Sequence, residues 1–189
     1  MLSPTFRGRG IAAGFLLGAQ LRSEPALSGQ IAIMFLSSYE SSVDVKKRVS
    51  IPAPFRKSLG GQDSVFLWPS LDKPCLEGGG MALVRRFQRA ISRLKPLDPR
   101  RNALETSIFG QGRFAKFDEG GRIVLEADQL SYAGIGDKAR FVGLGDRFQI
   151  WAPATHEPRL AELRKLALDS ADLLEAVDDG DDEMPVAAG

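Results

Sequence analysis

The sequence predicts a β-rich α+β fold. Two copies of one strand–turn–strand unit form a pseudo-symmetric barrel, flanked by helices. Three observations predict it. First, VDVKKRVSIPAPFRKSL (Val43–Leu59) and FDEGGRIVLEADQLSYAG (Phe117–Gly134) both read apolar, Asp, three residues, Arg, then an apolar run, and their aspartates lie 74 residues apart. Second, the same order of short strands, tight turn and short helix surrounds each motif. Third, each unit has only about forty to fifty residues, near the limit at which a β-rich piece covers its own apolar face. Two units packed together meet a need that neither meets alone.

The elements follow in order. Residues 1–33 stand apart. Arg7 and Arg9 precede IAAGFLLGA, which is like a basic n-region before a short apolar run, but Gly14 and Gly18 interrupt that run and no small-x-small cleavage site follows. They are expected to be a disordered leader or an over-extended start, with patterned sequence beginning at Met34. In the first unit, 34–80, Tyr39 to Val43 read as a strand and Asp44 to Lys47 as a tight turn. Arg48 to Ile51 form a second strand with Val49 and Ile51 on one face. Pro52 and Pro54 open a short helix that Gly60 and Gly61 close. Ser64 to Trp68 is a buried-type strand. Pro69 to Pro74 turn, and a brief strand at Cys75 and Leu76 is broken by Gly78, Gly79 and Gly80.

A helical hairpin, 81–110, comes next. Leu83, Val84, Phe87, Ile91 and Leu94 recur at helical spacing, with Arg85, Arg86, Arg89 and Arg93 facing away. Asp98 reads as an N-cap with Pro99 behind it, and the second helix runs towards Phe109. The second unit, 111–154, repeats strand, turn, strand, short helix, strand, turn, strand, ending in FQIW. Thr155 reads as the cap of a C-terminal helix, 155–177, with Leu160, Leu163, Leu166 and Leu173 or Leu174 inward. The tail, 178–189, is acidic, lacks aromatics and is expected to be disordered.

Charge is unevenly placed. The net charge of +1 combines a basic body, twenty Lys and Arg against fourteen Asp and Glu over 34–160, with two against nine over 161–189. A basic body is compatible with phosphate binding. No apolar run reaches the length that spans a membrane. The lone Cys75 has no intrachain disulfide partner and reads as a buried thiol. Catalysis finds little support. His156 is the only histidine, so His-pair metal sites and most His-based triads lack parts. Ser92-Arg93-Leu94-Lys95 matches S-x-x-K without its companion motifs. No cofactor, metal or small-molecule substrate is expected.

Chemistry concentrates at the first turn. Lys46, Lys47 and Arg48 sit together, with Arg56 and Lys57 close by in sequence. A guanidinium binds guanine O6 and N7 bidentately, whereas lysine contacts phosphate as a point charge. A hairpin is slim enough for the major groove. We therefore expect Arg48 at base edges and Lys46 and Lys47 at phosphates. The plainer reading is that Asp and Arg satisfy the turn amides and each other. The second turn, Asp118-Glu119-Gly120-Gly121, is acidic and repels phosphate, so Arg122 is either a DNA contact or a fold residue. The arginines of 85–93 are either a second phosphate surface or a solvated face. Leu163 and Leu166 are either a subunit seam or a core stripe.

With two D-x-x-x-R motifs in register, the K-P-C-L of LDKPCL and the closing FVGLGDRFQIW, the chain from about Met34 to about Asp172 resembles the MraZ family, a tandem member of the swapped-hairpin superfamily named after AbrB and SpoVT. The resemblance implies two SpoVT–AbrB units, at 34–80 and 111–154. It also implies a DNA-binding transcriptional regulator of the bacterial cytoplasm and nucleoid, assembled as a homo-oligomeric ring. Such a regulator binds repeated boxes in double-stranded DNA upstream of a cell-division and cell-wall operon that includes its own gene. It places Arg48 and Arg122 on the DNA-facing surface, with Asp44 and Asp118 fixing their turns. Lys47 stands where the family usually has Gly, and Gly121 keeps it; Gln149 stands where Glu is common. The rival reading is a protein-interaction module, antitoxin-like or an oligomeric scaffold, with no direct DNA role.

Overall fold

A computed structural model describes residues 34–175. The leader expected over 1–33 and the tail expected over 178–189 lie outside the described residues. The first half holds β1 (Ser38–Ser42), β2 (Arg48–Ser50), α1 (Ala53–Ser58), β3 (Ser64–Pro69) and β4 (Leu76–Gly79). The middle holds α2 (Met81–Ile91), α3 (Pro99–Leu104) and a π-helical turn (Glu105–Gly110). The second half holds β5 (Arg113–Lys116), β6 (Arg122–Val124), α4 (Ala127–Ala133), β7 (Lys138–Gly143) and β8 (Phe148–Trp151). Helices α5 (Pro153–Asp169) and α6 (Asp172–Glu175) end the described chain.

The two halves exchange strands. One antiparallel sheet runs β1-β7-β8-β4-β3-β5, and a two-stranded ribbon pairs β2 with β6. If each strand is replaced by its counterpart in the other half, the sheet order reads the same from either edge. The registers obey the same symmetry: β1 lies on β7 with Ser38 opposite Val142, and β5 lies on β3 with Ser64 opposite Lys116. In the ribbon Val49 faces Ile123, so the approximate two-fold axis passes between them. Two further symmetric bonds extend it, from the Ile51 amide to the Gly121 carbonyl at 3.2 Å and from the Leu125 amide to the Lys47 carbonyl at 2.9 Å.

The core lies between sheet and ribbon. Val49 and Ile51 meet Ile123 and Leu125 above Val65, Leu67, Leu76, Phe141, Phe148 and Ile150. Phe55 of α1 is fully buried, with Phe35 edge-on to it at 5.4 Å. Left-handed Gly60 and Gly61 stop α1. In α4 a capping box of Glu126 and Gln129 starts the helix and left-handed Gly134 ends it. The other face of the sheet is covered separately. Phe66 and Trp68 of β3 point outward and pack on Leu83 and Ile91 of α2 and on Ile108, with Phe87 edge-on to Trp68 at 5.4 Å. Asp98 caps α3 by accepting from the Arg100 amide, as its place before Pro99 predicts.

Four expectations need correction. The barrel does not close among the described residues, because β1 and β5 remain at the edges of the sheet. Gly78 and Gly79 do not break β4 but belong to it. A Cβ at Gly78 would sit 2.5 Å from Phe148 Cζ and 2.7 Å from Leu67 Cδ2, so close packing demands glycine there. Thr155 does not cap α5. Ala152 is the N-cap, Pro153 sits in the first turn, and the Thr155 hydroxyl donates to the Ala152 carbonyl at 3.0 Å. Nor do the expected leucines form a buried stripe: Leu163 and Leu166 of α5 and Leu173 of α6 are exposed, and Leu160 is only half-buried. What holds α5 is its first turns. His156 is buried against Trp151, their rings 5.5 Å apart, and Glu157 accepts from Arg140 at 3.3 Å.

Glu77 and Gln149 meet across the β4–β8 pair, near the axis and buried. Gln149 Nε2 donates to Glu77 Oε1 at 3.1 Å, Ser70 Oγ donates to the same oxygen, and Trp151 Nε1 donates to Gln149 Oε1. Two carboxylates facing each other there would repel; the amide in the second half supplies a donor. Replacing Gly78 with Ala should cost about 1–3 kcal/mol through overpacking, read as a lower urea midpoint with unchanged slope; an unchanged midpoint would mean that β4 and β8 are not packed this closely.

Candidate nucleic-acid interface

The two D-x-x-x-R turns are built alike. In the first, Asp44 Oδ1 accepts from the Lys46 and Arg48 amides, both at 2.9 Å. Its Oδ2 accepts from Arg48 Nε at 2.8 Å and lies 2.7 Å from Nη2. In the second, Asp118 Oδ1 accepts from the Gly120 and Arg122 amides at 2.9 Å, and Oδ2 accepts from Arg122 Nε at 2.8 Å. Each turn closes with an amide–carbonyl bond, Lys47 to Asp44 at 2.8 Å and Gly121 to Asp118 at 2.9 Å. These carboxylates turn amides and guanidinium alike into fixed partners. The Arg48 amide, then its guanidinium, hold the Asp44 carboxyl below its ordinary value; the Arg122 amide, followed by its guanidinium and the Gly120 amide, does the same for Asp118.

Strand alternation then sets the exposed face. Val49 and Ile123 point into the core, so Arg48 and Ser50 of β2, with Arg122 and Val124 of β6, point out. Arg48 is opposite Val124, and Ser50 is opposite Arg122. The two arginines therefore lie on one diagonal of the outward face. Their side chains are 31% and 39% exposed, engaged on one edge by aspartate and, among the described residues, without a partner on the other. A guanidinium has five N–H donors, and the Asp contact leaves the rest for a ligand.

Lys46 and Lys47 are exposed at the first turn, beside a fully exposed Val45. Lys47 adopts φ 60° where Gly121 adopts 72°. A lysine thus takes the left-handed turn position that the second copy gives to glycine. A Cβ at Gly121 would also meet the Arg56 guanidinium, the end of a flexible side chain that can move aside. Arg56, on α1 of the first half, therefore lies over the turn of the second half. Its counterpart 74 residues on is Leu130, which packs on the core. Lys57 is exposed in the last turn of α1. Ser50 and Val124 escaped the sequence reading, although their alternation with Val49 and Ile123 marks them as members of the same face.

Little else has the chemistry of a site. Cys75 is buried, and that burial pushes its thiol up to about 12. Among the described residues no group of three or more His, Cys, Asp or Glu is placed to hold a metal ion, and no helix is long and apolar enough to cross a membrane.

No family model matches the chain. Curated proteins do. It is 40% identical over 144 residues to the transcriptional regulator MraZ of Caulobacter vibrioides (strain NA1000 / CB15N), covering 76% of this chain and 92% of that protein. The chain belongs to the MraZ family of transcriptional regulators. The MraZ of Phenylobacterium zucineum is 43% identical over 135 residues, covering 71% of this chain and 84% of the other. That of Rickettsia akari is 38% identical over 136 residues, covering 71% and 91%.

Two measurements check this geometry. Replacing Lys47 with Gly should stabilise the fold by about 0.5–1 kcal/mol by relieving a left-handed side chain, whereas Gly121→Ala should destabilise it; equal responses at both sites would contradict the turn assignment. The depressed carboxyls of Asp44 and Asp118 contribute stability that is present above their ordinary value near 3.8 and lost as pH falls through their lower folded values. Acid unfolding of the Asp44→Asn, Asp118→Asn variant should accordingly be shallower across that window.

Proposed function

We propose that the chain is a sequence-specific DNA-binding transcriptional regulator that reads double-stranded DNA with the β2–β6 ribbon. One observation carries the reading: two aspartate-held arginines lie on one diagonal of an outward-facing antiparallel ribbon. Such a ribbon fits the major groove, where arginine pairs bidentately with guanine. Arg48 is assigned to base edges. Lys46, Lys47, Arg56 and Lys57 are assigned to phosphates, which set register without reading sequence. Arg122 is either a second base contact or a support for its turn, since Glu119 beside it repels phosphate.

The finer parts of the proposal follow the family. The exchanged strands support a swapped-hairpin reading of the AbrB and SpoVT kind, with units at 34–80 and 111–154. The target is a set of repeated boxes upstream of a cell-division and cell-wall operon that includes the chain's own gene, bound in the cytoplasm at the nucleoid. One ribbon offers few contacts, so a homo-oligomeric ring would add them over spaced boxes through effective concentration. A second reading, a protein-interaction module or scaffold, is favoured by the exposed leucines of α5.

A mobility-shift titration with the chain's own upstream DNA tests the proposal. Arg48→Ala should weaken specific binding by about 1–3 kcal/mol, and Lys46→Ala with Lys47→Ala should flatten the salt slope and weaken binding evenly across sequences. Log affinity should fall steeply with log salt. Unchanged affinity in the Arg48 variant would remove it from the interface, and absence of any shift would favour the interaction module.

A further inference from the structure

The chain has a second basic surface that the ribbon does not use. Arg85, Arg89 and Arg93 form one stripe along α2 and the turn after it, opposite the buried Leu83 and Ile91. All three are exposed and have no acidic partner among the described residues. Their neighbours differ: Arg86 pairs with Asp146, Arg100 with Asp98 and Arg101 with Glu105. The stripe also lies on the wrong side for the ribbon. Val65 and Leu67 of β3 face the core beneath the ribbon, whereas Phe66 and Trp68 face α2. A duplex lying on the ribbon of one chain would not meet this stripe.

Helix α5 leaves from that same outer side. Phe148 and Ile150 of β8 point into the core, so Trp151 points out, and His156 of α5 rests on it. Arg140, outward on β7 between the core residues Ala139 and Phe141, pairs with Glu157. Beyond α5 and α6 the sequence carries Asp178, Asp179, Asp181, Asp182 and Glu183, five acids in six positions.

We propose that the α2 arginine stripe is the docking surface for this acidic segment of the same chain, and that the contact masks the outer face against nucleic acid. Attachment in one chain favours this contact over one between chains where the intervening residues span the distance to the stripe. The masked face then withholds its cations from phosphate, and the ribbon is left as the basic surface open to DNA. The proposal concerns a surface that the ribbon reading does not involve.

The test uses the full chain and a random-sequence duplex at low salt. Neutralising the segment (Asp178→Asn, Asp179→Asn, Asp181→Asn, Asp182→Asn, Glu183→Gln) should raise affinity about tenfold or more, as freed cations reach phosphates. The same neutralisation in an Arg85→Gln, Arg89→Gln, Arg93→Gln background should give no comparable gain. Three results would overturn the proposal: no gain in the first variant, an equal gain in the arginine-free background (a net-charge effect alone), or a masking that grows with protein concentration, which would place the contact between copies. Specific binding lost through Arg48→Ala reports on the ribbon separately.

Discussion

A three-residue strand has no stability of its own, and this fold rests on two of them. β2 and β6 each bury one side chain, and each finds its strand partner in the other, with β2 adding a single bridge from Val49 back to Val43. That pairing joins the halves of the chain at Val49 and Ile123, and the sheet repeats the exchange at both edges, β1 on β7 and β5 on β3. Neither half has a complete sheet without strands from the other. The consequence for function is geometric. Because Val49 and Ile123 must point inward, the residues on either side of them must point outward, and two of those are arginine.

The aspartates convert that placement into a surface with fixed chemistry. Each occupies one edge of a guanidinium and two backbone amides, so the arginine needs little further ordering when a ligand arrives. The two turns then diverge. The first carries Lys46 and Lys47; the second carries Glu119 and is overlain by Arg56 from the opposite half. Symmetry builds the platform, and the departures from symmetry set its charge.

Much of this was legible in the sequence because repetition is. The 74-residue offset, the two D-x-x-x-R turns, the Pro-opened α1 and the Asp98 cap all rest on local rules, and the structure places each where those rules put it. The misses share a cause. Gly78 looked like a strand breaker because its need for glycine comes from Phe148, seventy residues away. The leucines of α5 looked like a core stripe because helical spacing does not reveal whether anything packs against it. In copy one Phe66 and Trp68 give α2 an apolar floor; the equivalent places in β7 are Arg140 and Val142, and α5 is held chiefly by its first turns. The strand exchange was legible only as a need for two units to pack, whereas the open edges at β1 and β5 depend on long-range strand order that no local pattern carries.

The pairing of β2 with β6 is open to direct examination by a cross-strand disulfide. Val49→Cys with Ile123→Cys sets two thiols at directly opposed positions of an antiparallel pair, a spacing that a disulfide spans. The account predicts a bond within a single chain under mild oxidation and, on the proposal that DNA is read by the closed ribbon, a protein that still binds its upstream DNA. Failure to cross-link, cross-linking only between chains, or a locked protein unable to bind the DNA that its reduced form binds would contradict it.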